Sequence, residues 1–106
     1  WPPSQNALWR AFRNRTILSR EGRAWYKYTA EALVGAPKVE GPVHIEVELA
    51  PPTKRRYDPD NRIKGLFDAL VKSKVIEDDD NRIIKWYAVS TDTEGFIGVR
   101  VTIRPL

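Results

Sequence analysis

Ile63, Leu66, Phe67, Leu70 and Val71 recur at i, i+3, i+4, i+7 and i+8. Apolar residues at that spacing share one stripe of an α-helix, and such a stripe is stable only when another element covers it. The spacing predicts a helix over 61–73, with Asp60 or Asn61 as its N-cap. A strand stands upstream. Val43, Ile45, Val47 and Leu49 alternate with His44, Glu46 and Glu48, the period of a strand with one buried face. Pro51-Pro52 ends that strand, since proline cannot donate to a ladder. The helix therefore turns its stripe toward the core, and the strand turns one face inward.

The remaining segments build around that pair. Trp1 to Ser4 reads as extended, and residues 5–18 as a loop with a short helical or strand piece. Ser19 is placed to cap a helix over 20–34, with Glu21 in its first turn. Ala24, Trp25, Tyr28, Ala32 and Leu33 supply its apolar spacing, and Gly35-Ala36-Pro37 stops it. Ile83 to Ser90 reads as one strand and Phe96 to Arg104 as another, with Ile97, Val99, Val101 and Ile103 alternating in the second. Asp92-Thr93-Glu94-Gly95 between them predicts a β-hairpin. The expected architecture is one small α/β (α+β) domain over residues 1–106, a mixed sheet with two helices packed on it.

Composition removes several kinds of chemistry. The chain has no cysteine and one histidine, His44, which excludes disulfides, thiolate metal sites and zinc held by several imidazoles. Any His-activated nucleophile must use His44, which falls on the polar side of its strand and reads as a surface residue. No apolar run reaches membrane-spanning length, and Trp1-Pro2-Pro3-Ser4 does not open a signal peptide. The expectation is a cytoplasmic protein with no membrane partner and no small-molecule substrate. The formal charge of +4 and pI of about 9.6 favour a polyanionic partner.

Against that basic background stand two acidic clusters. Asp58 and Asp60 flank Pro59, and Asp78-Asp79-Asp80 follows the helix. Pro59 should hold Asp58 extended, so that Asp58 and Asp60 point the same way and converge with a downstream carboxylate. Carboxylates crowded together call for a cation, and their hard oxygens suit Mg²⁺. An isolated D-x-D is more often a turn and cap, and an acidic run between helix and strand is more often solvated. Here Asn61 adds an amide, while Lys64 is placed to stabilise charge on a phosphate, with Asp68 its i, i+4 neighbour. Lys54, Arg55 and Arg56 precede the motif, and Arg10, Arg13 and Arg15 lie near the N-terminus. These are the candidates for phosphate contact. Trp9, Trp25, Tyr26 and Trp86 have the chemistry to stack on bases, although aromatics at such spacings are more often core.

The string Asp58-x-Asp60-Asn61-x-x-Lys64-x-x-x-Asp68-Ala69-Leu70, followed by Val75-Ile76-Glu77-Asp78-Asp79, resembles the RusA family of Holliday junction resolvases. Trp1-Pro2-Pro3-Ser4-x-Asn6 and the stretch from Ser19 through Gly22 to Trp25-Tyr26 resemble the family's opening, so the likeness covers nearly the whole chain. The resemblance implies a homodimeric, Mg²⁺-dependent endonuclease, with Mn²⁺ as a substitute ion, that cuts four-way DNA junctions by paired nicks. It implies a bacterial or phage source, association with the nucleoid, and essential roles for Asp58, Asp60, Lys64 and Asp79. Counting back from the next strand gives Asp80, which stands as a further ligand candidate. A dimer has a formal charge of +8, two times +4, and one site for each of two symmetric strands. Two other readings are a module that binds branched DNA without cutting it, its metal site vestigial or regulatory, and a small scaffold with an acidic turn.

Overall fold

The computed structural model describes residues 1–12 and 15–106. Eight elements follow in order: α1 (Gln5–Leu8), β1 (Trp9–Phe12), β2 (Arg15–Leu18), α2 (Arg20–Ala32), β3 (Val43–Ala50), α3 (Asp60–Lys72), β4 (Ile84–Ser90) and β5 (Gly98–Pro105). The mixed sheet and its helices match the α+β expectation. Residues 5–18, read as a loop with a short helical or strand piece, contain α1 and an antiparallel ribbon of β1 and β2.

The core joins β3 to α3. Val43, Ile45 and Leu49 are fully buried and Val47 nearly so. They share one apolar cluster with Ile63, Leu66, Phe67 and Leu70 of α3. The outer face of β3 is charged, and β5 neutralises it: Arg104 reaches Glu46 at 3.0 Å and Arg100 reaches Glu48 at 3.6 Å. His44 packs its ring 5.5 Å from that of Trp86 on this same outer face.

The expected hairpin does not form. The sheet order is β4-β3-β5, with β4 parallel and β5 antiparallel to β3. The turn residues instead step across the end of β3, where the Thr93 N–H donates to the Leu49 carbonyl at 3.0 Å. Period-two alternation identifies a strand but not its neighbour. The most completely buried strand takes the middle, because only there are both its edges paired.

Ser19 caps α2 as expected, its hydroxyl accepting from the Gly22 N–H at 2.9 Å. The buried stripe of α2 is Gly22, Trp25 and Thr29, while Tyr28 points outward at 61% exposure. Trp25 sets this rotation by donating its indole N–H to the Gly65 carbonyl of α3 at 2.9 Å. Gly22 permits it, since a Cβ there would run into the Leu8 carbonyl. Gly22→Ala gains up to about 1 kcal/mol of helix propensity. It also forces a methyl against backbone that cannot rotate aside, and overpacking of that kind costs about 1–3 kcal/mol. A net loss of stability in denaturant titration is expected; a stabilised variant would show that α1 yields.

Candidate active site

β3 ends at Pro51-Pro52, and an exposed loop carries Lys54, Arg55 and Arg56 to the start of α3. Tyr57 anchors this loop. Its ring meets Trp1 edge-on at 5.2 Å, and its hydroxyl donates to Asp92 Oδ1 at 3.4 Å. Pro59 then adopts helical angles, φ −56° and ψ −41°, and starts α3 without a side-chain cap. Neither Asp60 nor Asn61 is the N-cap. Asp60 is the first helical residue, and Asn61 donates both its backbone N–H to the Asp58 carbonyl (3.1 Å) and its amide to Asp58 Oδ2 (3.3 Å).

This start corrects the expected direction of the D-x-D pair. Residues two apart share a side only in extended chain; in a helical turn they diverge by about 200°. Asp58 accordingly lines a concavity of about 550 Å³ with Lys54, Arg55, Arg56 and Asp92. Asp60 lines a neighbouring one of about 400 Å³ with Lys64, Phe67 and Tyr87, and Pro59 borders both.

Lys64 ties the second acidic cluster to α3. Its Nζ lies 3.0 Å from Asp68 Oδ1 and 3.0 Å from Asp79 Oδ2, so the segment after α3 folds back along the helix. The hydrogen bond to Asp79, and then that to Asp68, raises the Lys64 pKa and holds it charged. Asp80 is engaged elsewhere. Arg82 donates to it from Nη2 at 2.6 Å and from its backbone N–H at 2.9 Å, which holds its carboxyl below the ordinary range. The structure thus brings Asp79, not Asp80, to the helix that bears Asp60. Arg13 lies outside the described residues, as do the side chains of Trp9, Arg10 and Arg15.

Asp68 also accepts from the Tyr26 hydroxyl at 3.3 Å. Burial first, and then the Asp68 charge, pushes the Tyr26 phenol up to about 12 from 10.0. Between those two values the folded chain retains a proton that the unfolded chain has lost. The stability linked to it is complete below pH 10 and falls as the pH rises through about 12. Denaturant midpoints measured from pH 9 upward should show this decline in the wild type and a shallower one in Tyr26→Phe. Equal slopes would show that the fold does not hold the Tyr26 phenol protonated.

The oxygen donors suit Mg²⁺ in kind. They do not form a preassembled cage: among the described residues no three carboxylate or imidazole side chains are close enough to hold an ion. The expected convergence of Asp58, Asp60 and Asp79 is therefore not found in the chain alone.

A family model described as "Endodeoxyribonuclease RusA" matches residues 1–104. The chain belongs to the RusA family. The crossover junction endodeoxyribonuclease of Enterobacteria phage 82 is 40% identical over 92 residues, covering 80% of this chain and 77% of that protein. An Escherichia coli RusA gives the same figures, and the Shigella sonnei RusA is 39% identical over the same span. As a RusA-family member the chain is an endodeoxyribonuclease. Its D-x-D, Lys64 and Asp79 sit in one continuous crossover between β3 and β4. Sequence reasoning missed Tyr57, Asp92 and Tyr87, which join the site through contacts between distant segments; only the aromatic character of the two tyrosines hinted at them.

Proposed function

We propose that this endodeoxyribonuclease resolves four-way DNA junctions by paired hydrolysis of two symmetric phosphodiesters, acting as a homodimer with a divalent cation. The observation that carries the reading is the Lys64–Asp79 contact at 3.0 Å, which sets the downstream carboxylate and a charged ammonium beside the helix that begins at Asp60. Lys64 supplies positive charge for the scissile phosphate or the departing oxygen. Lys54, Arg55 and Arg56 receive the backbone of the junction arms.

Asp58, Asp60 and Asp79 are the proposed ligands of one or two Mg²⁺ or Mn²⁺ ions, with Asp58 on the far side of Pro59 from Asp60. Mg²⁺ usually keeps several waters and is held by one or two carboxylates together with substrate phosphate, so a cage closed before DNA binds is not required. The ion supplies Lewis-acid activation of water and charge neutralisation when bound. The residues themselves position the phosphate: Pro59 and Asn61 fix the carboxylates at the helix start, and Asp68 and Tyr26 hold Lys64 in place.

The lack of a preassembled three-acid group among the described residues favours a second reading, a module that binds branched DNA without cutting it. Incubating a synthetic four-way junction with protein and Mg²⁺ decides between them. Symmetric nicks support the resolvase; tight binding without nicks supports the module. Sedimentation at micromolar protein tests the dimer, and a chain that stays monomeric on a junction would defeat the paired-nick mechanism.

A further inference from the structure

The concavity beside Asp60 has an unexpected lining for a site that handles phosphate. Asp60 and Lys64 stand at its rim, but Ile63, Phe67 and Val89 form its body and Tyr87 forms a wall. Tyr87 is on the edge strand β4 and is 53% exposed. Its ring is not loose on the surface: it meets the buried Phe67 ring edge-on, centroids 5.3 Å apart and planes at 90°. The result is a supported aromatic wall, open to solvent, above an apolar floor. Edge strands more often carry charge that discourages unwanted pairing.

The chemistry around the shelf selects its occupant. A phosphodiester that meets Asp60 and Lys64 brings a sugar and a flat, apolar-faced base within one nucleotide. The basic loop on the far side of Pro59 is placed to take up the continuing phosphates. We propose that the shelf is a nucleobase subsite, in which the base of a nucleotide bordering the scissile phosphate leaves its stack and lies against Tyr87. The inference rests on the junction-cutting reading and extends it. Unstacking a base inside a duplex costs a few kcal/mol, and the cost is lower where a stacking partner is already lost, as at a branch point. Tyr87 therefore favours branched over continuous DNA without reading a sequence.

A double-substitution cycle tests this. Abasic sites are placed one at a time at the nucleotides bordering the branch, and wild type, Tyr87→Ala and Tyr87→Phe are compared in junction cleavage rate and in junction affinity without divalent ion. Loss of the ring in Tyr87→Ala should cost about ten-fold on intact DNA. An abasic site loses the same stack but is spared the unstacking cost, so at the position that matters Tyr87→Ala should cost nothing further on abasic DNA. Tyr87→Phe keeps the ring and should match wild type, which holds the test even if the alanine variant is less stable. Additive losses at every position, or full activity in Tyr87→Ala, would overturn the subsite. So would a change in the oligomeric state of Tyr87→Ala, which would assign the shelf to subunit contact. A wild type that binds junctions without cutting them defeats the resolvase reading, and coupling measured in affinity still supports the subsite.

Discussion

Asp60→Asn should abolish junction cleavage, with a loss on the order of a thousand-fold, while leaving junction affinity unchanged or up to about five-fold tighter. The two effects have opposite signs because the carboxylate plays two parts. It offers a hard anionic oxygen to a cation, which an amide replaces poorly. It also repels the phosphate that must approach, and exposed charges about 4 Å apart in water exchange only about 1 kcal/mol. Folding should barely respond. Asp60 is exposed in the first turn of α3, and its favourable position on the helix dipole is worth about 0.3–1 kcal/mol. Single-turnover cleavage, junction anisotropy and a thermal melt on the same preparation separate the three quantities. A variant that nicks at close to the wild-type rate would place the chemistry elsewhere.

The second large effect should come from replacing Lys54, Arg55 and Arg56 together with Ala. All three are exposed on the loop before α3, and among the described residues none has an ion-pair partner that would hold it back from DNA. Each phosphate contact contributes about −0.9 to the slope of log affinity against log salt, so losing three should flatten it by up to about 2.7. At low salt the affinity should fall on the order of a hundred-fold, equally for every junction sequence, because backbone contacts carry no base information. Titrations between 50 and 200 mM salt measure the slope. An unaltered slope would remove the loop from the DNA interface.

The parts of the fold legible from sequence were those set by a single period. Ile63 to Val71 could form nothing but a one-sided helix, and Val43 to Leu49 nothing but a one-sided strand; both are present within a residue or two of their predicted limits. Which strands are neighbours was not legible, because Ile84–Ser90 and Gly98–Pro105 have the same alternation whether they pair with each other or flank β3. The helix start was misjudged on a finer point. Proline constrains the residue before it, but its own φ also suits the first turn of a helix, and at Pro59 the second property governs the direction of Asp60. That Arg82, two residues along, engages the Asp80 carboxylate is a side-chain contact that no spacing in the chain foretells.

Every acidic candidate, and Lys64 with them, lies between the end of β3 and the start of β4. Both ends of that span are fastened to the same ladder, which begins where the Val43 N–H bonds to the Ile83 carbonyl at 2.7 Å and continues in parallel register to Glu48 opposite Ser90. The chemistry is thus mounted on a single bracket bolted at the two opposite ends of that ladder. Damage to β5 or to the ribbon of β1 and β2 lowers the fraction of chains that are folded but leaves the surviving molecules with the same internal spacing of Asp60, Lys64 and Asp79. Damage to the β3–β4 seam reaches the site itself, because it frees one end of the crossover that carries α3 and loosens the cluster α3 shares with β3.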